Sequence, residues 1–178
     1  MSDSAVLTLN AGSSSLKFAI FTNVVRPRRL WSGAIERIGL PGARFRLSDA
    51  RGAVFREETG TIADHDTALK RLLLAIEHEA SGVKLVAVGH RIAHGGPDCD
   101  CPEHVTPTLR ARLQQLTALA PMHLPANIAG IDAVRIAGKN NRAIEGILGD
   151  RGRTAMIHRD DLVLQAATRS VGKGVGVC

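Results

Sequence analysis

The stretch from Val6 to Phe21 constrains the fold more than any other part of the chain. Two apolar runs, Val6-Leu7-Thr8-Leu9 and Phe18-Ala19-Ile20-Phe21, flank the segment Asn10-Ala11-Gly12-Ser13-Ser14-Ser15-Leu16-Lys17. Both runs favour strands and contain no turn residues, so the chain is expected to open as strand, tight turn, strand. The turn carries an amide, a small flexible Gly, three hydroxyls and a Lys. Such a turn can aim several backbone N–H groups at one anion, with Lys17 as a point charge suited to phosphate. An ordinary Ser-rich hairpin turn fits the same composition.

The rest of the chain reads as alternating β and α elements. Leu30 to Gly39 predicts a third strand, and Arg44 to Ser48 a fourth, with Phe45 and Leu47 on one face. Asp49-Ala50-Arg51-Gly52 is a turn, and Ala53 to Thr59 returns as a fifth strand. Between His65 and Ala80, Leu69, Leu72, Leu73 and Ile76 recur at helical spacing, with Asp64 as cap. Lys84 to Gly89 is a buried strand. Thr106-Pro107 starts a second helix, striped by Leu109, Leu113 and Leu116, and Asn127 to Ala137 forms a third, striped by Ile128, Ile131 and Val134. Strands, then a helix, then a strand suit an α/β domain with a mixed sheet. In a chain of this length the three helical stripes are expected to stay partly exposed and to favour self-association.

Two clusters could suggest metals. His90 and His94 are four apart, but Arg91 stands where the zinc-protease pattern needs Glu, and the segment runs from a strand into Gly95-Gly96 rather than along a helix. Cys99, Cys101 and His104 leave at most one further ligand position with no obvious donor nearby, so a surface loop with two free thiols is expected there.

Four segments together resemble the acetate kinase family, which includes propionate and butyrate kinases. They are Leu9 to Lys17, the Gly-x-x-Glu-Arg-Ile-Gly segment from Gly33 to Gly39, His90-Arg91-Ile92-Ala93-His94-Gly95-Gly96, and Leu119-Ala120-Pro121-Met122-His123-Leu124-Pro125-Ala126-Asn127. The last departs from the family's pattern at Leu124, where Asn is usual. The resemblance implies a ribonuclease-H-like first domain of the actin–hexokinase–chaperone ATPase type. It also implies phosphoryl transfer from ATP to a short carboxylate such as acetate, possible also with propionate, with Mg²⁺ required. By resemblance, Asn10 helps hold Mg²⁺, while Lys17 meets the nucleotide phosphates with Ser13, Ser14 and Ser15 as supporting donors. Arg91 binds the carboxylate or acyl phosphate, His123 is a candidate active-site donor, and Ala93 and Met122 stand at acyl-pocket positions. A bidentate guanidinium suits a planar carboxylate, which gives Arg91 its physical rationale.

The resemblance covers residues 5 to about 138, so residues 1–138 are expected to form the first domain. Residues 139–178 read as an atypical tail, as a truncated, frameshifted or fused product would have. Asp150 lies near the distance expected for a catalytic Asp of the family, but its neighbours do not match, and a turn Asp is the better expectation. Asp160 to Arg169 could form a short helix. With so little of the family's length matched, the chain is expected to be inactive alone. The alternative is a non-catalytic binding protein that pairs with a full-length kinase. Assembly as a homodimer, or with a second domain, is compatible with either.

Composition narrows the partners. The net charge is +6 and the sequence pI about 9.9, which would admit a polyanion. However, the basic residues are scattered apart from Arg26-Pro27-Arg28-Arg29, and aromatics make up only 3% of the chain. Single-strand binders need aromatic stacking platforms, so no nucleic-acid partner is expected. No run is long enough for a membrane span, the N-terminus has no export signal, and three cysteines, two of them one residue apart, suit a reducing cytoplasm.

Overall fold

The computed structural model describes residues 4–79, 83–96, 103–138 and 153–157. Five strands follow one another first: β1 (Ser4–Gly12), β2 (Ser15–Thr22), β3 (Arg29–Glu36), β4 (Ala43–Ser48) and β5 (Val54–Gly60). Then come α1 (His65–Glu79), β6 (Lys84–Arg91), β7 (Glu103–His104), α2 (Pro107–Gln115), a 3-10 turn over Leu116–Leu119, α3 (Leu124–Gly138) and β8 (Arg153–Ile157). All eight strands form one mixed sheet in the order β5-β4-β3-β2-β1-β6-β8-β7. The first five make an antiparallel meander; β6 is parallel to β1, and β8 is parallel to β6.

Strand alternation builds the core. Ala5, Leu7, Leu9 and Ala11 of β1 and Leu16, Phe18 and Ile20 of β2 face one side, where they join Leu69, Leu72, Leu73 and Ile76 of α1 and Val134 of α3. On that face α3 crosses β1 and β6 while α1 reaches β2, and the two helices pack together. A second cluster joins Ile92, Leu109, Leu113, Leu124, Ile128 and Ile131, and so seats α2 on α3. Arg110 grips Asp132 through two parallel bonds, one of them 2.7 Å, and the carboxylate raises the Arg110 pKa above its ordinary value. Most of each helix's stripe is therefore spent inside the chain: Leu69, Leu72, Leu73, Ile76, Leu109, Leu113, Ile128, Ile131 and Val134 are all buried, and Leu116 is half-buried against the second cluster. The expected exposure of these stripes is corrected by the packing of the helices on the sheet and on one another.

Local signals hold at most ends. Asp64 Oδ1 accepts from the Thr67 N–H at 2.8 Å, and Thr106 Oγ1 from the Leu109 N–H at 3.1 Å. The hydrogen bond its carboxylate accepts from the Thr67 backbone N–H lowers the Asp64 pKa. Three elements differ from expectation. Helix α3 begins at Leu124 rather than Asn127, because Pro125 falls in the first turn, where its missing N–H costs no helical bond. Strand β6 continues through His90 and Arg91. Strand β8 lies within the stretch read as tail, and it extends the sheet beyond β6. Asp150, Cys99, Cys101, Cys178 and the helix expected over 160–169 lie outside the described residues.

Candidate functional site

The Asn10–Lys17 segment is not an open loop. The β1–β2 ladder runs in register through Asn10↔Lys17 and Ala11↔Leu16 to Gly12↔Ser15, so only Ser13 and Ser14 form the turn. A loop that wraps an anion with several successive N–H groups is thus replaced by a two-residue hairpin, whose strand residues offer side chains instead. Ladder partners share a face, so Asn10, Gly12, Ser15 and Lys17 lie together, opposite the Leu9, Ala11 and Leu16 core face. Ser13 is exposed at the tip, and the Ser14 carbonyl accepts from the Ile38 N–H at 2.9 Å.

Strand β6 brings in the second motif. Parallel pairing ends at Leu9↔His90, which puts His90 on the buried core side and Arg91 on the face of Asn10. The third motif arrives through the turn into α3. His123 is exposed at that turn, and its carbonyl accepts from the Asn127 N–H at 3.0 Å. These pieces meet in a cavity of about 200 Å³ lined by Asn10, Ala11, Gly12, Ser15, Lys17, Arg91, Ala93, His123 and Asn127. It lies at the C-terminal ends of the parallel pair β1 and β6, the usual place for ligands on open α/β sheets. Ser13 and Ser14 are not among its lining residues. Met122 is 72% exposed and also lies outside the lining, whereas Ala93 is part of it.

Asn127 closes the fourth family-like segment and opens the expected third helix, with no role assigned to its side chain in the sequence. It is 4% exposed, and both ends of its amide are used: Nδ2 donates to the Ala11 carbonyl at 2.7 Å, and Oδ1 accepts from the Ala93 N–H at 3.0 Å. The cue available in the sequence was an amide, which carries both a donor and an acceptor, placed in the first turn of a mostly apolar helix. His65 was read only as the first residue of α1; its Nε2 lies 2.8 Å from the Gly12 carbonyl and must donate, since a carbonyl can only accept.

The two histidines expected not to form a metal pair are placed apart in role. His90 is buried on the core side, and His94 Nδ1 accepts from the Gly96 N–H at 3.2 Å. Among the described residues no group of three or more His, Cys, Asp or Glu is arranged to hold a metal ion. A single Asn is still a sound partner for Mg²⁺, which keeps several waters and substrate phosphate oxygens in place of an all-protein cage. A larger groove of about 530 Å³ runs between β5 and α1, but its cations are already matched: Arg56 and Arg71 by Glu58, and Lys70 by Asp66. Those bonds lower the Glu58 pKa.

Burial lowers the His90 pKa from 6.5 to about 4, so the ring is neutral at neutral pH. The unfolded chain takes up this proton at higher pH than the folded chain does, so the contribution is complete above 6.5 and drains away as the pH falls from 6.5 to about 4. The expected loss reaches about 3 kcal/mol at the acid end. Urea melts at pH 7.5, 5.5 and 4.5 check this: His90→Gln should flatten the acid decline, and parallel declines in both proteins would refute it.

Comparisons with known proteins converge on one group. Residues 5–144 match the sequence model of the Acetokinase family. The chain is 40% identical over 136 residues to an acetate kinase of Streptomyces griseus subsp. griseus, a match that takes in 73% of the chain and 32% of that relative. The solved acetate kinase of Porphyromonas gingivalis superposes with a TM-score of 0.70 at 29% identity, over 87% of the chain and 37% of the other. A propionate kinase of Francisella tularensis subsp. tularensis superposes at 0.71 with 22% identity, over 87% of the chain and 36% of the other. The chain thus spans about a third of the length of the relatives it matches. The mixed sheet with flanking helices is the ribonuclease-H-like fold of the actin–hexokinase–chaperone ATPase type.

Proposed function

The chain belongs to the Acetokinase family, and on that premise we propose that its residues serve acetate-kinase-type phosphoryl transfer between ATP and a short carboxylate, with Mg²⁺. The observation that carries this reading is the meeting of three separate sequence motifs in one cavity, with Asn10, Lys17, Arg91 and His123 on its walls. Phosphoryl transfer asks a protein for positioning and charge neutralisation more than for covalent chemistry. Arg91 forks onto the carboxylate or acyl phosphate and stays cationic throughout. Lys17 supplies a mobile positive charge to the phosphates, with Ser15 on the same face and Ser13 and Ser14 at the tip as further donors. The amide oxygen of Asn10 would help hold Mg²⁺, which would supply charge neutralisation at the phosphates. His123 can donate to the transferring group from the opposite turn. In this reading, residues 1–138 together with β8 make up the first domain, and the setting is the cytoplasm.

Calorimetric titration of the 178-residue chain with acetyl phosphate tests the proposal, paired with an ATP- and Mg²⁺-dependent hydroxamate assay. Binding without turnover is expected. The chain spans about a third of the length of the relatives it matches, and removal of one charge-stabilising group commonly costs ~10²–10³ in rate. Absence of acetyl phosphate binding would overturn the reading of the cavity, and robust turnover would overturn the reading of the chain as only part of the machinery.

Ala93 sets the room for the acyl group. A Val at this lining position would add two methyl groups to the wall of the cavity, and one methylene in such a pocket is worth ~1–3 kcal/mol. Ala93→Val should therefore weaken propionyl phosphate relative to acetyl phosphate by about tenfold. An unchanged ratio would show that position 93 does not contact the acyl group.

A further inference from the structure

Strands β1 and β6 stop pairing at Leu9↔His90, yet the cavity is built from residues beyond that point on both chain segments. Asn127 spans the place where the ladder ends. Its Nδ2 donates to the Ala11 carbonyl, next to Asn10, and its Oδ1 accepts from the amide of Ala93, two residues past Arg91. The orientation of the amide follows from chemistry, since the carbonyl can only accept and the N–H can only donate. The side chain is 4% exposed, so water does not compete for either bond. The tip is held from other directions as well: His65 takes the Gly12 carbonyl, and a Cβ added at Gly130 would stand 3.2 Å from that of Ala11, so α3 lies hard against the hairpin.

The geometry points to Asn127 as a positioning residue for the reaction. It replaces the missing ladder bonds and holds the Asn10–Lys17 hairpin and the Arg91 segment at one spacing, so that the phosphate and acyl ends of a single acyl phosphate are met together. This rests on the acyl phosphate reading of the cavity. Only an amide can do it: Asp keeps the acceptor for Ala93 but sets a carboxylate against the Ala11 carbonyl, and Leu loses both bonds.

The test uses the full 178-residue chain, ¹⁵N-labelled, as wild type, Asn127→Asp and Asn127→Gln, with acetyl phosphate as probe. In the wild type, the Ala93 amide should exchange with solvent slowly although it lies outside every ladder; exchange at the rate of an open loop would overturn the proposal without any variant. In folded Asn127→Asp, the Ala11 and Gly12 amides should shift while Ala93 stays protected, and acetyl phosphate should bind about tenfold more weakly. The ligand-induced shifts seen at both the hairpin and the Arg91 segment in the wild type should shrink to the Arg91 side. A folded Asn127→Asp that binds within twofold of wild type and responds at both sides would overturn it. If Asn127→Asp does not fold, Asn127→Gln decides: with both polar groups on a longer arm it should keep its melting temperature more nearly than its affinity, and equal affinity would refute the role. If the wild type binds no acetyl phosphate, the functional reading fails by itself, and the amide shifts and exchange still decide whether Asn127 couples the two segments.

Discussion

Gly33→Val is expected to leave little folded protein. Gly33 pairs with Phe18 on one side and Leu47 on the other, in the middle of the meander. A Cβ there would stand 2.2 Å from the Arg46 carbonyl oxygen and 2.5 Å from Phe18 Cζ. The Phe18 ring is itself fixed, buried with its centroid 6.2 Å from that of Phe45. The carbonyl belongs to the β4 backbone, which is laddered on both sides and cannot withdraw without breaking register. Overpacking usually costs ~1–3 kcal/mol, and a clash with fixed backbone belongs at or beyond about 4 kcal/mol. Against a total stability of roughly 5–15 kcal/mol, that is most of the margin. Gly60→Ala is the control, because no atom lies within 4 Å of its added Cβ. Thermal melts should show a fall of roughly 10 °C or more for Gly33→Val and almost none for Gly60→Ala. Equal melting temperatures would mean that β3 does not sit against Phe18 as described.

Arg91→Ala should weaken acetyl phosphate binding about 100-fold, with Arg91→Lys recovering only part of the loss. A charge-assisted hydrogen bond contributes ~1.5–3 kcal/mol, and a guanidinium forks two of them onto phosphate oxygens, as it does onto a carboxylate, where an ammonium places a point charge. Arg91 is half-buried at the end of β6 and lines the cavity, so water screens it less than a surface cation. Calorimetry gives the affinities and circular dichroism verifies the fold. Binding by folded Arg91→Ala within threefold of wild type would remove Arg91 from the site and take the carboxylate reading with it.

Much of this is written in local pattern. The hairpin, the period-two alternation of Phe45 and Leu47, the helical spacing of Leu69, Leu72, Leu73 and Ile76, and the caps at Asp64 and Thr106 all appear where the residues put them. Asn10, Lys17, Arg91 and His123 are singled out by the resemblance of their motifs rather than by local pattern, and the cavity gathers all four. Where local pattern misled, a neighbour elsewhere in the chain decided. The helical stripes could not show that α1, α2 and α3 cover one another. Strand β8 follows a charged, Gly-containing stretch, and its place depends on the edge that β6 presents.

By itself the sequence determined the periodicities, and with them which residues of a strand share a face: Asn10 had to stand opposite Leu9 and Ala11 wherever β1 went. What only the tertiary structure decided is which face meets which. The parallel pairing of β1 with β6 carries Arg91 from some eighty residues away to the side of Asn10. The hairpin register narrows the serine-rich segment to a two-residue turn and aligns Lys17 with Asn10. Asn127, on a third element, ties the two motifs together where the ladder stops. Each of these is a contact between distant residues, bought against chain entropy by the burial of α1 and α3 on the sheet. No local window contains both partners of such a contact, so the fold alone sets the distances on which the chemistry depends.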